Sequence, residues 1–466
     1  MITWLWILGS VYAALLCLAA YVSWKRTKTA DDYVLAGSNL GALVGLLTYA
    51  ATLFSTFTLM GMPDFFRTHG VGAWIFLAVS DGAQVVLIIW FGYHLRKRAR
   101  ARGFRGTAGL LGSLYDDKWA GYTYFGGVFL FLIPYVAIQI RGLAIFLEAI
   151  FPEALPAWIW SAGILAVMLL YSEIGGLRAI IYSDILQGLT LLLVVWIVAV
   201  SSIMQFGGVG ELFAAAEAVD RQLLSTPGPQ GLFTVQFLVA SFFGVLLLPA
   251  TQPQLTTRLI VIRNRKELNR MAVSIGCFAI VILIPVAAIG MYGAVRYPEA
   301  TTREFLANVL LFEQSGIVGA ACVVGLLTAA MSTADSQIFA LGTELRSLLS
   351  GETTAVLKQT KRAILGFGLV ALIFSVVSSD QLVLLARVSF NGTALVGPMV
   401  IAGVICRRAP GREVVVATAV GLILFIISLV GLVPSLVGPA RLDLLLLVLL
   451  GIITAVSSVI HNRRTA

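Results

Sequence analysis

Long apolar blocks recur along this chain and restrict what it can fold into. The first 24 residues contain no Asp, Glu, Lys or Arg. As a helix rising about 1.5 Å per residue, they would cross the roughly 30 Å hydrocarbon core of a bilayer. Only 12% of all residues are charged, against about 25% in an ordinary soluble domain. The sequence therefore predicts an all-α, multi-pass integral membrane protein and excludes an ordinary soluble enzyme.

Thirteen apolar blocks between charged or Pro- and Gly-rich breaks are candidate membrane spans. They lie near 2–24, 41–66, 71–95, 119–150, 157–173, 180–206, 231–257, 271–295, 316–348, 362–379, 382–405, 413–432 and 440–460. The first block lacks the basic segment that precedes the apolar core of a signal peptide, so we expect it to be retained as an anchor.

The Lys and Arg residues predict the orientation of these spans. With the N-terminus outside, 25 of the 32 fall on the cytoplasmic side, 5 fall outside, and Arg141 and Arg387 lie within spans. Cytoplasmic loops of membrane proteins carry an excess of Lys and Arg. The count predicts an N-out, C-in protein, and it explains the net charge of +9 without a nucleic-acid partner.

Cysteine and histidine usage argues against a metal or haem centre. The four cysteines form no CxxC pair and the three histidines are scattered along the chain. A disulfide framework, a structural zinc site or a haem is therefore not expected. We expect no organic cofactor and no obligate protein partner.

Ionisable residues inside predicted spans are candidate functional residues, because charge in hydrocarbon is costly. The alternative for each is a structural ion pair or a position at the membrane interface, and Glu344 is placed near the inner surface. The candidates are Asp81, Arg141, Asp184, Asp335, Glu344 and Arg387.

Two apolar segments carry residues that interrupt a helix. Residues 48–66 combine a hydroxyl cluster with Gly61 and Pro63, and residues 242–258 contain Pro249 and Pro253. Broken helices at matching places in two halves are the sequence sign of an inverted-repeat secondary transporter. The alternatives are Pro kinks in ordinary helices, as in a channel or another bundle.

A third segment, residues 326–345, concentrates oxygen-bearing side chains within one apolar span. Ser332, Thr333, Asp335 and Ser336 fall within five residues. Hydroxyls and freed main-chain carbonyls suit a hard cation such as Na⁺. The alternative is that the hydroxyls bond to their own helix or join helices.

Four motifs resemble the sodium:solute symporter family, which includes sodium-coupled proline, pantothenate, sugar and sialic-acid transporters. The motifs are TLMGMPDFF (58–66), YSEIGGLRAIIYSDILQG (171–188), QPQLTTR (252–258) and AAMSTADSQ (329–337). They occur in the family's order, and the resemblance covers nearly the whole chain.

The resemblance implies a LeuT-type fold of about thirteen transmembrane helices, built on two inverted repeats of five. The expected division is an extra N-terminal helix in 1–40, the first repeat in 41–206, the second in 231–405 and two C-terminal helices in 406–466.

The resemblance also implies a Na⁺ site between the second and ninth spans. Its ligands would be the main-chain carbonyls of Ala51, Phe54 and Ala329 and the hydroxyls of Ser332 and Thr333.

A second cation or a proton would bind near Asp184, Asp335 and Ser336, which match positions used in some relatives. Some relatives carry an acid two residues after the position that matches Ala51, where this chain has Leu53. Their substrate chemistry is therefore not transferred whole.

The solute would lie beside the break in the second span, near Ser55 and Thr58. Arg141 resembles an arginine that binds the carboxylate in the sialic-acid members, which favours a carboxylate-bearing solute. The alternative is that Arg141 pairs with an intramembrane acid such as Asp81.

These expectations describe a symporter that couples inward Na⁺ movement to uptake of a small organic solute. A proton-coupled symporter of the same fold is the alternative, and a cation channel is a distant one. An enzyme is not expected, since neither HExxH nor GxSxG is present. The chain would lie in the lipid bilayer of a prokaryotic cytoplasmic membrane.

Overall fold

The computed structural model describes residues 1–26, 35–151, 154–349, 353–378 and 381–463. Side chains are described for all of these except residues 24, 26, 157, 167–176, 353–357, 360 and 463. Lys28, which the orientation count uses, and the side chains of motif residues 171–176 therefore lie outside the described residues.

The described residues are almost entirely helical. The α-helices are α1 (Ile2–Arg26), α2 (Ala42–Leu53), α3 (Met62–His69), α4 (Ser80–Arg102), α5 (Thr107–Tyr115), α6 (Lys118–Ile150), α7 (Ala157–Gln205), α8 (Val209–Val219), α9 (Val235–Leu246), α10 (Leu248–Thr251), α11 (Pro253–Val261), α12 (Arg265–Arg296), α13 (Thr302–Ala307), α14 (Gly316–Leu348), α15 (Thr353–Val377), α16 (Leu382–Ala394), α17 (Gly397–Ile405), α18 (Arg412–Leu429) and α19 (Leu442–Arg463). Short π-helical turns cover Phe57–Gly61, Ile75–Val79 and Asn308–Phe312, and a 3-10 turn covers Arg221–Leu224. Strands β1 (Leu436–Val437) and β2 (Ala440–Arg441) pair antiparallel in a two-stranded hairpin before α19.

Eight helices in the described part of the chain are long and apolar enough to cross a membrane. Two pairs of shorter helices could each form one further bent span. The segment 207–230, between two predicted spans, carries the short helix α8. The chain is thus an integral membrane protein, and the described residues account for up to ten of the thirteen predicted spans by length and composition.

The largest difference from the predicted spans is α7. The sequence predicts two spans, 157–173 and 180–206, separated near Arg178, but the structure has one continuous helix of 49 residues. Such a helix is about 74 Å long, more than a single crossing requires. Gly175 and Gly176 suggest a break, yet each glycine costs only about 1 kcal/mol in a helix and removes no hydrogen bond.

The second predicted span is broken as expected. α2 ends at Leu53, Phe54 has extended backbone angles of φ −93° and ψ 115°, and the two halves are bent by 61°. Ser55 and Thr58 explain the break, because their hydroxyls replace helical partners. The Ser55 amide donates to Thr58 Oγ1 at 3.2 Å and the Phe57 amide to Ser55 Oγ at 3.2 Å.

The seventh predicted span is also broken, into α9, α10 and α11. Pro249 and Pro253 each lie in the first turn of a new short helix, where the missing amide of proline costs nothing. The sequence does not predict a third break, between α16 and α17, where the chain bends by 41°. There Pro398 lies in the first turn of α17.

At the end of the bundle where α2 begins, hydrogen bonds connect α2 to the segment between α11 and α12. Leu40 donates its amide to the Val261 carbonyl at 3.1 Å, and its own carbonyl accepts from Arg263 at 2.9 Å. The Glu267 carboxylate accepts the Ala42 amide at 2.8 Å, as expected for an acid at a helix N-terminus. These bonds attach the first half of the broken span to the connection between α11 and α12.

Glu344 and Arg387, two of the candidate intramembrane residues, have structural partners. The Glu344 carboxylate accepts the Thr107 and Ala108 amides at 2.9 and 2.6 Å, and so caps α5. The Arg387 guanidinium donates to Asp443 at 2.7 Å and joins α16 to α19. Both contacts are consistent with the structural alternative for these residues.

At the opposite end, α13 packs against the second half of the broken span. Thr302 donates to Asp64 at 2.8 Å, and Arg67 donates to the carbonyls of Tyr297 and Pro298 at 2.9 and 3.1 Å. α13 begins with a capping box in which hydrogen bonds from Thr301 lower the pKa of Glu304. The break in the second span thus lies between two ends that are each held by polar contacts.

Candidate functional site

The break leaves the last carbonyls of α2 without helical partners. In a continuous helix, the carbonyls of Ala51 and Leu53 would accept the amides of Ser55 and Phe57. Those two amides instead bond to the hydroxyls within the break. Since buried carbonyls need partners inside a membrane, other groups must approach them.

Side chains from α14 and α6 supply these partners. Ser332 Oγ lies 3.2 Å from the Ala51 carbonyl oxygen. Thr333 Oγ1 lies 3.4 Å from the carbonyl oxygens of both Ala51 and Thr52. The Tyr135 hydroxyl donates to the Leu53 carbonyl at 3.0 Å. A continuous helix therefore faces the C-terminal end of a broken one, with oxygen atoms on both sides.

This oxygen set combines a main-chain carbonyl with two hydroxyls, which are neutral ligands that suit a hard cation. A cation that holds its ligands at about 2.4 Å, within the Ca²⁺ range, separates neighbouring octahedral oxygens by about 3.4 Å. The distances of 3.2 and 3.4 Å from Ser332 and Thr333 to the Ala51 carbonyl match that spacing. Among the described residues, no group of three or more His, Cys, Asp or Glu could hold a metal ion.

The other two predicted ligands lie nearby, with less direct evidence. Ala329 is buried on α14, one turn before Ser332 and Thr333. Phe54 is the first residue of the break and is 1% exposed. The structure thus brings Ala51, Ser332 and Thr333 into contact. Ala329 lies on the same helix as the two hydroxyls, and Phe54 lies directly after α2.

Asp184 lies directly beside this oxygen set. Its Oδ1 accepts from Ser332 Oγ at 2.5 Å, and its Oδ2 accepts from Thr48 Oγ1 at 2.5 Å. A guanidinium nitrogen of Arg258 lies 2.9 Å from the same Oδ2. Asp184 is 0% exposed, so its charge is balanced inside the protein rather than by water.

Arg258 has a central place in this site, and its predicted location is wrong. The orientation count places it in a cytoplasmic loop, but it is 1% exposed and lies between α2, α7 and α14. Its guanidinium donates to Ser336 Oγ at 2.7 Å, to Thr48 Oγ1 at 3.2 Å and to the Gln254 carbonyl at 2.9 Å. Arg258 is the last residue of the QPQLTTR motif. Its place in a family motif is the sequence signal that distinguishes it from the loop arginines that set membrane orientation.

Asp335 has no such partners. It is 0% exposed, and neither carboxylate oxygen has a hydrogen-bond partner in the described part of the chain. It follows Ser332 on α14 by three residues, so the two lie on neighbouring positions of one helix face. Ser336, the third member of the predicted second site, is bonded to Arg258.

One face of α6 packs against the break. Gln139 donates to Ser55 Oγ at 3.2 Å, and a Cβ at Gly142 would lie 2.3 Å from Thr56 Cγ2. Tyr135, Gln139 and Gly142 share this face because each residue turns the helix by about 100°. Arg141 is half-buried and follows Gln139 by two residues, so it lies about 160° around the helix from Gln139 and about 100° from Gly142.

The hydroxyls predicted to bind solute are used within the break itself. Ser55 and Thr58 are fully buried and bond to the amides of Phe57 and Ser55 respectively. Thr56 Oγ1 and Gln139 Oε1 are buried and have no partner among the described residues. The sequence does not single out Gln139 as a candidate, because it is one uncharged amide in an apolar span.

Asp81 does not show a contact with Arg141. It accepts from Gln84 Nε2 at 2.9 Å, and Gln84 in turn accepts from the Tyr49 hydroxyl at 2.8 Å. Asp81 therefore belongs to a separate polar chain between α4 and α2.

Comparison with known proteins assigns the family. The model of the sodium:solute symporter family matches residues 33–409. The chain belongs to the sodium:solute symporter family. The high-affinity proline transporter PutP of Bacillus subtilis is 24% identical over 412 residues, which cover 84% of this chain and 85% of the relative. The sodium/pantothenate symporter of Haemophilus influenzae is 26% identical over 337 residues, covering 68% and 66%.

Solved transporter structures share its fold. A Na⁺-coupled sialic acid symporter, solved in a substrate-bound outward-open state, matches with a TM-score of 0.78 and 19% identity, covering 97% of each chain. The nucleobase-cation-symport-1 transporter Mhp1 matches with a TM-score of 0.60 and 11% identity, covering 94% of this chain and 95% of that one. The fold is therefore of the LeuT type, and this family member is a membrane transporter and not an enzyme.

The contacts of Arg258 predict a strong energetic coupling with Asp184. Replacing Arg258→Met leaves a buried carboxylate uncompensated, so we expect the free energy of unfolding to fall by about 3–5 kcal/mol. The double variant Asp184→Asn/Arg258→Met removes both charges, so its free energy of unfolding should fall much less. Thermal unfolding of the purified protein in detergent measures both effects.

A matched control for this test is the exposed pair of Arg221 and Glu217, whose side chains are 90% and 54% exposed. Arg221→Met should leave thermal stability unchanged. If the double variant loses as much thermal stability as Asp184→Asn and Arg258→Met lose together, the two charges are not coupled.

Proposed function

We propose that this transporter is a secondary active symporter that couples inward Na⁺ movement to uptake of a small organic solute. The observation that carries the proposal is the oxygen set of the Ala51 carbonyl with the Ser332 and Thr333 hydroxyls, at spacings that suit Na⁺. We add the carbonyls of Phe54 and Ala329 as the remaining ligands. Family membership supports coupling to Na⁺.

The architecture proposed for this function is two inverted repeats, 41–206 and 231–405, in an N-out, C-in chain. The breaks in the second and seventh spans support this division, because each proposed repeat begins with a broken span. The excess of Lys and Arg on one side supports the orientation, and the relatives from Bacillus subtilis and Haemophilus influenzae support a prokaryotic cytoplasmic membrane.

Na⁺ binding at the proposed site would link the two halves of the transport cycle. The ion joins the end of α2 to α14, so it favours conformations in which these helices are close. Solute bound beside the same break raises the affinity for Na⁺, and Na⁺ raises the affinity for solute by the same factor. Each positive charge that enters down a potential of 100 mV supplies about 2.3 kcal/mol, which corresponds to roughly 50-fold accumulation.

The Na⁺ site is tested by Ser332→Ala/Thr333→Ala. We expect the purified wild-type protein to be stabilised more by NaCl than by KCl at equal ionic strength, since a ligand of the native state raises its stability. The double variant should lose this difference and remain folded. Thermal unfolding in the two salts measures both.

Thr343→Ala is the matched control, because the Thr343 hydroxyl on the same helix bonds to the Phe339 carbonyl. It should keep the full Na⁺ effect. A Ser332→Ala/Thr333→Ala protein with native Na⁺ dependence would show that the site is elsewhere.

We further propose that the solute carries a carboxylate and binds beside the break, near Ser55, Thr58 and Gln139. Relatives named for proline and for pantothenate support this class, since both compounds are carboxylates. Arg141 is the cation proposed to bind the carboxylate. Because Arg141 points away from the break-facing side of α6, this role requires the solute to extend around that helix.

Uptake of radiolabelled carboxylates, with proline first, by proteoliposomes under a Na⁺ gradient tests this role. Removal of a charge-assisted contact by Arg141→Gln should weaken apparent solute affinity by about tenfold or more while Na⁺-dependent stabilisation is kept. Gln139→Ala should also weaken uptake, and Arg221→Gln, on the exposed outer segment, should not. Unchanged solute affinity in Arg141→Gln would assign that arginine a structural role.

A second candidate function, proton-coupled symport, is favoured by Asp335. A buried carboxylate without a partner is costly in its charged form, so it would take up a proton or a second cation during the cycle. The alternative second-cation site formed by Asp184 and Ser336 is less suited, because the Arg258 guanidinium lies between them.

A pH gradient in Na⁺-free buffer tests proton coupling. If Asp335 carries the proton, the gradient drives solute uptake in wild-type proteoliposomes, and Asp335→Asn abolishes it. Asp81→Asn is the matched control, because the Asp81 carboxylate already has a donor in Gln84. Uptake that requires Na⁺ at every pH would exclude proton coupling.

A further inference from the structure

A basic cavity lies at the ends of α4 and α12, apart from the site described above. Its volume is about 480 Å³. The residues that line it are Tyr93, Arg96, Lys97, Arg100, Ala101, Arg265 and Leu268. Four of them are cationic and none is acidic, so the cavity concentrates positive potential.

Two of the cations are held in place by their surroundings. Arg96 is 8% exposed and donates to the carbonyls of Leu259 and Ile260 at 2.9 and 3.0 Å. The Arg265 guanidinium lies 4.6 Å from the centre of the Tyr93 ring, within the range of a cation–π contact. The cavity therefore presents charge in a fixed arrangement, which lowers the entropic cost of binding an anion.

The remaining cations, Lys97 and Arg100, are exposed at the rim. The nearest acid on α12, Glu267, does not line the cavity and already accepts from the Ala42 amide and from Arg270. The positive charge of the cavity is thus not cancelled by this neighbouring carboxylate.

The helix face that carries the cations continues as an apolar, aromatic face. Val86, Trp90 and Tyr93 are 72%, 46% and 39% exposed, and with Lys97 and Arg100 they recur every three or four residues along α4. Such spacing places them on one side of the helix. Tyr and Trp are typical of the membrane interface. The exposed face of α4 therefore changes from apolar and aromatic to cationic along the helix, as expected where a membrane helix reaches the headgroups.

Exposed apolar residues of α12 run beside this face. Val273, Ile280 and Ile284 are 54%, 47% and 46% exposed. The two helices pack closely, since a Cβ at Gly276 would lie 2.6 Å from Val85 of α4. Together they form a lipid-facing surface that ends at the cavity.

We propose that this cavity binds the phosphate headgroup of an anionic phospholipid, with the acyl chains lying against α4 and α12. The cations supply charge-assisted donors to the phosphate, and the adjoining apolar surface supplies a contact that a free anion lacks. Basic pockets at the cytoplasmic ends of membrane helices are suited to such lipids. The proposal is independent of which ion or solute is transported.

Native mass spectrometry of the full chain in detergent tests the proposal, with phosphatidylglycerol and phosphatidylcholine as probes. We expect phosphatidylglycerol to bind at least about tenfold more tightly, since each basic residue near a charged headgroup contributes about 1 kcal/mol. Lys97→Gln/Arg100→Gln/Arg265→Gln should abolish this preference. The three side chains are exposed, so the variant should fold, and Lys97→Glu alone is a milder variant with the same expected direction.

Arg105→Gln/Arg407→Gln/Arg408→Gln is the matched control, because it removes three exposed positive charges elsewhere. It should retain the preference for phosphatidylglycerol. Inorganic phosphate at millimolar concentration should not displace the lipid. Equal binding of the two lipids, equal loss in the control variant, or displacement by inorganic phosphate would each overturn the proposal.

Discussion

The ion pair between Asp184 and Arg258 is the interaction on which the rest of the site depends. It is fully buried, and removing water from two charges costs several kcal/mol per ion unless further polar groups bond to them. Thr48, Ser332 and Ser336 provide these groups. Because the five residues come from α2, α7, α11 and α14, satisfying one pair of charges brings four helices to defined positions. The oxygen set at Ala51 lies at the edge of this cluster and is oriented by it.

The broken helices could be predicted because their cause is local. Prolines such as Pro249 and the hydroxyls of Ser55 and Thr58 change which backbone groups can bond, and this is visible in the sequence. The continuous α7 was not predictable in the same way. Adjacent glycines weaken a helix without removing a hydrogen bond, so neighbouring helices decide whether it continues. The bend before Pro398 was missed because a single proline in an apolar block resembles an ordinary kink.

The residues of the candidate site that lie in family motifs could be predicted from the sequence. Those whose only sequence signal was a place in the count of Lys and Arg could not. Ser332 and Thr333 were identified because hydroxyls are concentrated there in an otherwise apolar span. The family resemblance then connected them to Ala51. Arg258 was missed because a rule based on loops assigns any arginine at the end of a span to the interface. Gln139 was missed because an uncharged amide does not stand out by composition. In each case the missing information is which helices lie next to one another.

The Glu267 carboxylate on the Ala42 amide has a mechanical consequence. With the backbone pairing of Leu40, it attaches α2 to the start of α12, while the second half of the broken span is bent by 61° from α2. A movement of α2 would therefore have to break these hydrogen bonds or carry the start of α12 with it.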